Sequence, residues 1–190
     1  MIYLASTSPR RKALLKKAGV TFCLLKPAYE ENNDLKGRPS KIVQVHAVEK
    51  AESCREQVKN GIILAADTIV YLEGKTIGKP KNMKNARFIL RKLQGRWHSV
   101  YTGVAMFKIV SGRVVKKTIF FEKTKVRLEE LSPKRIENYF KKVNPLDKAG
   151  AYAIQSRRGG IVQEVRGFFS NAAGLPIERV LAKLKKNHLK

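Results

Sequence analysis

Acidic residues are scarce in this chain of 190 residues. It has 15 Asp and Glu against 40 Lys and Arg, which gives a formal net charge of +25 at pH 7. Such an excess of positive charge is typical of proteins that bind nucleic acid or other polyanions. The basic residues are spread along the whole chain, however, so a generally basic surface is the simpler explanation. The scarcity makes any acid inside an apolar run informative, because it is not one of many solubilising groups.

Cysteine and histidine are also rare. Cys23 and Cys54 lie far apart without a Cys-x-x-Cys pair, and His46, His98 and His188 show no metal-ligand spacing. These patterns exclude a disulfide framework and a structural zinc site. Two separate thiols of this kind predict a reducing compartment.

Long hydrophobic runs are missing, although hydrophobic residues make up 43% of the chain and provide for a core. No apolar run approaches the length of a membrane span. The N-terminus places its apolar residues before its charges, which is the reverse of a signal peptide. We therefore expect a cytoplasmic protein without membrane contact. A Walker A pattern is absent too, which argues against a P-loop kinase or ATPase.

Strand and helix patterns alternate along the chain. This order favours an α/β domain in which helices flank a mixed, twisted sheet. Internal repeats and linker-like segments are absent, so we expect one domain over residues 1–190. The patterns predict strands over 2–5, 20–25, 62–71, 97–108, 113–128 (as one or two strands), 151–155 and 161–165. They predict helices over 9–19, 39–55, 82–93 and 132–142, and a last helix that Gly174-Leu175-Pro176 opens and that runs to the C-terminus.

The first strand leads into a polar loop and then a helix. The loop contains Ser6 and Ser8, and Pro9 suits the first helical position. Arg10 and Arg11 follow in the first turn, where cations oppose the helix dipole. An anion would explain them, and the planar guanidinium groups can grip phosphate oxygens in bidentate fashion. The alternative is that both arginines are solvated surface residues.

Asp67 interrupts the most apolar run of the chain, residues 62–71. This run is typical of a central strand buried on both faces. An ionised carboxylate there is costly unless it is paired, bound to a metal or placed where the strand opens to a cleft. We therefore favour a functional role for Asp67 over a structural one.

Together these patterns predict a site for phosphate chemistry. Cations can bind the charge of a polyphosphate, while carboxylates can hold a hard divalent ion and orient water. The candidate residues are Ser6, Ser8, Arg10, Arg11, Glu30 or Glu31, Lys50, Asp67, Lys79 and Lys148.

Several short motifs, in order along nearly the whole chain, resemble those of the Maf family of nucleoside triphosphate pyrophosphatases. Each motif is weak alone, but the series is specific. The motifs are Ala5-Ser6-Thr7-Ser8-Pro9-Arg10-Arg11, Ala66-Asp67-Thr68, Gly78-Lys79-Pro80, His98-Ser99-Val100-Tyr101-Thr102-Gly103, Asp147-Lys148-Ala149-Gly150-Ala151-Tyr152 and Gly174-Leu175-Pro176.

The resemblance implies hydrolysis of a nucleoside triphosphate to the monophosphate and pyrophosphate, which limits incorporation of unwanted nucleotides into nucleic acids. It implies a divalent metal, Mg²⁺ or Mn²⁺. It also implies two lobes around a deep cleft, a fold related to inosine triphosphatase, and a homodimer.

The resemblance also implies roles for individual residues. Asp67 matches the proton acceptor, and Asp67 and Glu31 would hold the metal. Lys50 and Lys79 match catalytic lysines. Residues matching substrate-binding or specificity positions are Ser6, Ser8, Arg10, Arg11, Thr68, Lys148 and Gln155. The pattern ending in Gln155 is similar to that of the branch acting on dTTP and UTP.

A second interpretation is a basic nucleic-acid-binding module without catalytic activity. It depends on the charge alone, because zinc-finger spacing, an RNP-like aromatic pair and a helix-turn-helix glycine are absent. Weak nonspecific contact with nucleic acid is expected from the charge in either case.

Overall fold

A computed structural model describes residues 1–30, 37–154 and 160–188. Helices and strands intermix as the sequence predicts, and none of the helices in this part of the chain is long and apolar enough to cross a membrane. The strands are β1 (Ile2–Ala5), β2 (Phe22–Leu25), β3 (Gly61–Leu72), β4 (Lys75–Ile77), β5 (Trp97–Val110), β6 (Arg113–Leu128) and β7 (Val162–Arg166). The helices are α1 (Pro9–Lys17), α2 (Pro39–Glu52), α3 (Met83–Leu93), α4 (Pro133–Phe140), α5 (Phe169–Ala172) and α6 (Ile177–His188), with 3₁₀ turns at Arg55–Gln57 and Ala149–Ala151.

Within those residues the strands form one seven-stranded mixed sheet in the order β2-β1-β3-β5-β6-β7, with β4 paired to β3. β1 is parallel to both β2 and β3, while β4 is antiparallel to β3 and β7 is antiparallel to β6. The predicted mixed sheet flanked by helices is therefore confirmed. Strand β3 lies between β1 and β5, as expected for the most apolar run of the chain.

The chain divides into two compact units. Unit 1 comprises residues 1–67, 102–122 and 174–190. Alternate residues of β1 and β3 face opposite sides of the sheet in this unit. Leu4 and Leu64 pack with α1 and α6 on one face, whereas Ile63 and Ala65 pack with α2 on the other. Unit 1 is thus a sheet covered on both faces.

Helix α2 is held against β5 by a direct backbone contact at Gly103. A Cβ atom at this position would lie 2.2 Å from the carbonyl oxygen of Val43 on α2. Only glycine permits this approach, because the colliding atom belongs to backbone that cannot rotate away. A glycine inside a predicted strand, as at Gly103, indicates a bulge or a close approach, and the structure shows the close approach.

Unit 2 comprises residues 68–101 and 123–173. Its helices α3 and α4 present buried apolar faces, including Leu90, Leu93 and Ile136. Both helices begin with a side-chain cap. Asn82 accepts a hydrogen bond from the Asn85 amide and Ser132 accepts one from the Arg135 amide, so the predicted helix start at Ser132 is confirmed.

Two local predictions differ from the structure. The predicted strand over 151–155 is wrong, because Ala151, like Gly150 before it, has a left-handed backbone conformation, with φ angles of +61° and +74°, and lies in a turn. Residues 152–154 are not in a strand either, and residue 155 lies outside the described part of the chain. The short helix α5 has no counterpart in the sequence prediction, since four residues carry too little periodicity to be recognised.

We expect Gly103→Ala to lower the free energy of unfolding by about 3 kcal/mol, because the new methyl group collides with the α2 backbone. Urea unfolding measures the effect. Val110→Ala, at an exposed position of the same strand, is the control and should change the value by less than about 0.5 kcal/mol. An alanine variant as stable as the wild type would contradict the close packing of α2.

Candidate active site

A buried ion pair between Lys50 and Asp67 lies in unit 1. The Lys50 Nζ donates to Asp67 Oδ1 at 2.7 Å, and the residues are only 8% and 4% exposed. Asp67 is the one acidic residue that is buried among the described residues. The sequence-based argument that this carboxylate needs a partner is thereby answered, and the partner is a lysine that was also a predicted site residue.

Strand and helix geometry bring the two side chains together. Asp67 follows Ile63 and Ala65 at alternate positions of β3, so its side chain faces the same side of the sheet as α2. Lys50 lies in the last turn of α2. The contact of α2 with Gly103 fixes the distance of this helix from the sheet.

The polar loop after β1 begins beside the same part of β3. Ala5 pairs with Ala65 in the parallel register, so Ser6 follows next to the strand position that precedes Asp67. Ser6 Oγ accepts hydrogen bonds from the Ser8 amide at 3.2 Å and from Arg11 Nη1 at 3.3 Å. Serine directly before a helix favours the N-cap position, and Ser8 occupies that position of α1, but its side chain makes no capping bond.

Arg11 ties this loop to the predicted Gly-Leu-Pro motif. Its Nε donates to the carbonyl oxygen of Gly174 at 2.8 Å, in addition to the Nη1 bond to Ser6. The alternative of two merely solvated arginines therefore does not hold for Arg11. Arg10 is half-buried in the same first turn.

A second buried contact on α2 was not given a role by the sequence. Tyr29 Oη lies 2.8 Å from His46 Nδ1, and His46 is buried one helical turn before Lys50. The contact holds Tyr29, in the segment that follows β2, against the face of α2 that carries Lys50. The spacing of His46 and Lys50 indicates that both lie on one face of a helix. This spacing does not reveal that Tyr29 is the hydrogen-bond partner of His46.

The remaining predicted site residues of the described chain belong to unit 2. Thr68 directly follows Asp67 and is half-buried, and Lys79 is exposed in the Gly78-Lys79-Pro80 turn. Lys148 Nζ donates to the carbonyl oxygen of Asn144 at 2.8 Å and to Asp147 Oδ1 at 2.5 Å. The segments of Lys79 and Lys148 are joined, because the Gly150 amide donates to the Gly78 carbonyl oxygen at 3.1 Å.

His98 and Tyr152 form a buried pair in unit 2. His98 Nε2 lies 2.6 Å from Tyr152 Oη, and the rings meet edge to face. Burial lowers the pKa of His98 to about 4, although a backbone hydrogen bond with Arg96 acts in the opposite direction. Burial also raises the pKa of Tyr152, with a smaller contribution from Tyr139. Both groups are therefore neutral at pH 7.

A divalent metal was predicted on Asp67 and Glu31. Glu31 and the specificity residue Gln155 both lie outside the described residues. In the part that the structure describes, His, Cys, Asp and Glu do not form a group of three that could hold a metal ion. Of the two predicted ligands the structure therefore describes only Asp67, whose Oδ1 accepts a hydrogen bond from Lys50. One carboxylate is compatible with Mg²⁺, which is usually held by one or two carboxylates together with water and substrate phosphates.

Comparison with known proteins agrees with the sequence motifs. The sequence profile described as "Maf-like protein" matches residues 1–187. The chain is 41% identical over 186 residues to a dTTP/UTP pyrophosphatase of Dictyoglomus thermophilum, covering 97% of this chain and 95% of that protein. It is 42% identical over 185 residues to a dTTP/UTP pyrophosphatase of Bacillus anthracis, covering 97% and 94%. The chain therefore belongs to the Maf family.

A solved structure supports the fold. The Staphylococcus aureus Ham1 protein superposes with a TM-score of 0.51 and covers 98% of both chains, at 16% sequence identity. The similarity at this identity concerns the fold alone.

We expect Asp67→Asn to lower the free energy of unfolding by about 3–5 kcal/mol, because it leaves the buried Lys50 ammonium without its counter-charge. The double variant Asp67→Asn with Lys50→Met should recover most of this loss. Chemical denaturation compares them. Glu137→Gln breaks the exposed pair with Arg87 and serves as control, with little change in the free energy of unfolding. A single Asp67→Asn variant as stable as the control would refute the pairing.

We also expect His98 to make the fold less stable in acid. It is protonated in the unfolded chain below its ordinary pKa of 6.5 but stays neutral in the folded protein down to about 4. The contribution of the neutral His98 to the free energy of unfolding is therefore complete above pH 6.5. As the pH falls towards 4, this contribution decreases by about 3 kcal/mol.

The matched variant is His98→Gln, which does not titrate. The fall in unfolding free energy between pH 7 and pH 4 should be smaller in this variant than in the wild type by that amount. Equal pH dependence in the two proteins would show that His98 does not hold its neutral form in the fold.

Proposed function

We propose that this protein is a nucleoside triphosphate pyrophosphatase that hydrolyses dTTP and UTP to the monophosphate and pyrophosphate. The observation that carries the proposal is the buried Lys50–Asp67 pair, in a chain about two-fifths identical over nearly its whole length to proteins named for this activity. A buried ion pair is costly to maintain, because both charges are removed from water, so a chemical role gives a reason for it.

In the proposed reaction Asp67 orients a water molecule and accepts its proton. The water oxygen attacks the α-phosphorus, the bond between this phosphorus and the bridging oxygen breaks, and pyrophosphate leaves with the bond electrons. Lys50 compensates the carboxylate charge within the buried site and holds one of its oxygens in a fixed direction. A proton acceptor positioned in this way contributes about 10²–10⁴ in rate.

Cations stabilise the charge that develops on the leaving pyrophosphate, which is the largest effect in phosphoryl transfer. We assign this role to Arg10, Lys79 and Lys148. Arg11 binds Gly174 and Ser6, so we assign it first to holding the loop. Ser6 Oγ already accepts two hydrogen bonds, which leaves its hydroxyl proton to donate to a phosphate oxygen.

We propose Asp67 and Glu31 as the residues that would hold Mg²⁺ or Mn²⁺. When bound, the metal would neutralise phosphate charge as a Lewis acid. The protein supplies few ligands to such an ion, and substrate phosphates complete its shell.

Other sequence-based expectations remain part of the proposal. They are a homodimer, a cytoplasmic location and weak contact with nucleic acid. The first is supported by the family resemblance, the second by the separate thiols Cys23 and Cys54, and the third by the net charge of +25.

The proposed base preference depends on Gln155 and Thr68. An amide has both a donor and an acceptor, so Gln155 can pair with O4 and N3–H of uracil or thymine at once. Cytosine reverses this edge, and a Gln155 amide that is free to flip would accept it. Thr68 or backbone groups must therefore fix the amide for CTP to be excluded.

Purified protein assayed with UTP, dTTP, CTP, ATP and GTP tests the proposal. We expect UTP and dTTP to give the monophosphate and pyrophosphate, with purine nucleotides turned over more slowly. EDTA should stop the reaction and Mg²⁺ or Mn²⁺ should restore it. Binding to nucleic acid without hydrolysis of any nucleotide would favour the nucleic-acid-binding module instead.

We expect Gln155→Glu to reduce kcat/KM for UTP and dTTP by about tenfold or more, because a carboxylate cannot donate to O4 and leaves this group unpaired. The measurement is the ratio of kcat/KM for UTP to that for GTP. Gln163→Glu, at an exposed position of β7, adds the same charge and is the control. If the ratio is the same in Gln155→Glu and the wild type, this pocket interpretation is wrong.

A further inference from the structure

The segment from Lys148 to Ala153, which we term the Lys148 turn, has an unusual backbone. Gly150 and Ala151 both have positive φ angles, +74° and +61°. Alanine rarely adopts this region, because its Cβ crowds the backbone. Ala151 is also fully buried. Such a conformation persists only where its surroundings impose it, and strained backbone of this kind concentrates at functional sites.

One set of contacts holds the Lys148 turn against the segment that carries Lys79. The Gly150 amide donates to the carbonyl oxygen of Gly78, which directly precedes Lys79. A Cβ atom at Gly150 would lie 2.9 Å from a methyl carbon of Val70, so the turn packs closely against β3. The positions of Lys79 and Lys148 are therefore coupled through this contact.

A second set of contacts holds the other end of the turn. Tyr152 Oη lies 2.6 Å from His98 Nε2, and their ring centroids are 5.4 Å apart at an interplanar angle of 80°. The next residue, Ala153, donates its amide proton to Tyr139 Oη at 2.8 Å. His98 and Tyr152 are only 3% and 7% exposed. The turn is thus fastened to β5 and to α4.

The chemistry of His98 and Tyr152 favours a role in positioning the Lys148 turn over a role in contacting the substrate. Both groups are neutral at pH 7, as described above, so neither supplies charge to a phosphate or a metal. A buried hydrogen bond between neutral partners instead fixes geometry. The mechanism given above leaves both residues unused, although both belong to motifs singled out in the sequence.

We propose that His98 and Tyr152 are positioning residues that hold the Lys148 turn and thereby place Lys148 and Lys79 for the polyphosphate. This inference rests on the proposed pyrophosphatase function. Small displacements of groups that orient a substrate reduce rates strongly. The pair therefore acts on the reaction through the lysines.

The first experiment compares Tyr152→Phe, His98→Gln and His98→Leu with the wild type in UTP hydrolysis. Tyr152→Phe removes only the hydroxyl group, and we expect kcat/KM to fall about tenfold. His98→Gln keeps a hydrogen-bonding group near Nε2 and should retain more activity than His98→Leu. Equal activity in the two His98 variants, or wild-type activity in Tyr152→Phe, would overturn the proposal.

The second experiment is a double-mutant cycle with Lys148→Met. If Tyr152 acts in part through Lys148, adding Tyr152→Phe to Lys148→Met should reduce kcat/KM by a smaller factor than Tyr152→Phe does in the wild type, because only the effect through Lys79 remains. If the two losses simply multiply, the hydroxyl does not act through this lysine and the proposal fails. The same cycle with Lys79→Met tests the second lysine.

Ile136→Val is the control for general loss of stability, since it removes one methyl group from the buried face of α4. It should lower the melting temperature while kcat/KM stays within about twofold of the wild type, as expected for a site away from the reacting groups. Loss of kcat/KM in Ile136→Val equal to that in Tyr152→Phe would show that destabilisation alone explains the effect.

The positioning role and the pyrophosphatase function can fail separately. A wild-type protein that hydrolyses no nucleoside triphosphate contradicts the pyrophosphatase function. Normal wild-type hydrolysis with unaffected variants contradicts only the positioning role.

Discussion

The ion pair between Lys50 and Asp67 is the constraint on which unit 1 depends. Two charges removed from water cost several kcal/mol each unless their geometry is good, and removal of one partner leaves the other uncompensated. The pair therefore needs a buried strand that carries Asp67 within its apolar run and a helix whose last turn reaches it. Gly103 allows α2 to approach β5 closely. Tyr29 contacts His46, which lies one helical turn before Lys50 on α2.

The distribution of the other acids makes this pair stand out. Most acids of the described chain that form ion pairs do so at the surface, as Glu137 does with Arg87 and Glu73 with Arg96. Exposed pairs of this kind contribute little to stability. The chain has only 15 acidic residues against 40 basic ones, and yet Asp67 is buried, where loss of hydration makes a carboxylate most costly. Such a position is reasonable for a group with a catalytic role.

The cations that we assign to the phosphate groups are held by contacts of two kinds. In unit 1, Arg11 joins Ser6 to Gly174, two positions that are far apart in the chain. In unit 2, a strained turn beside Lys148 is fastened by neutral hydrogen bonds. Both arrangements fix donors before substrate binds, and preorganised donors are more effective than mobile ones in stabilising developing charge.

Local patterns were sufficient for most of the fold. The apolar run around Asp67 and the serine-proline helix starts act over a few residues and could be predicted. Gly103 was recognised as a special position of its strand, but its contact with Val43 could not be read from nearby residues. Lys50 was a predicted site residue, but its pairing with Asp67 was not predicted, because no local pattern joins a residue of a helix to one of a strand. The contact of Arg11 with Gly174 spans most of the chain, and the left-handed Ala151 contradicts the preference of an apolar segment for a strand. Such features depend on tertiary packing, which overrides local propensity.

The central claim is that hydrolysis depends on the Lys50–Asp67 pair itself and not on the stability it provides. The most direct measurement is single-turnover hydrolysis of UTP by the double variant Asp67→Asn with Lys50→Met, at a temperature where denaturation shows it to be folded. The account predicts a rate lower than that of the wild type by about 10²–10⁴, as for loss of a proton acceptor. A folded double variant that hydrolyses UTP within a few-fold of the wild-type rate would contradict it.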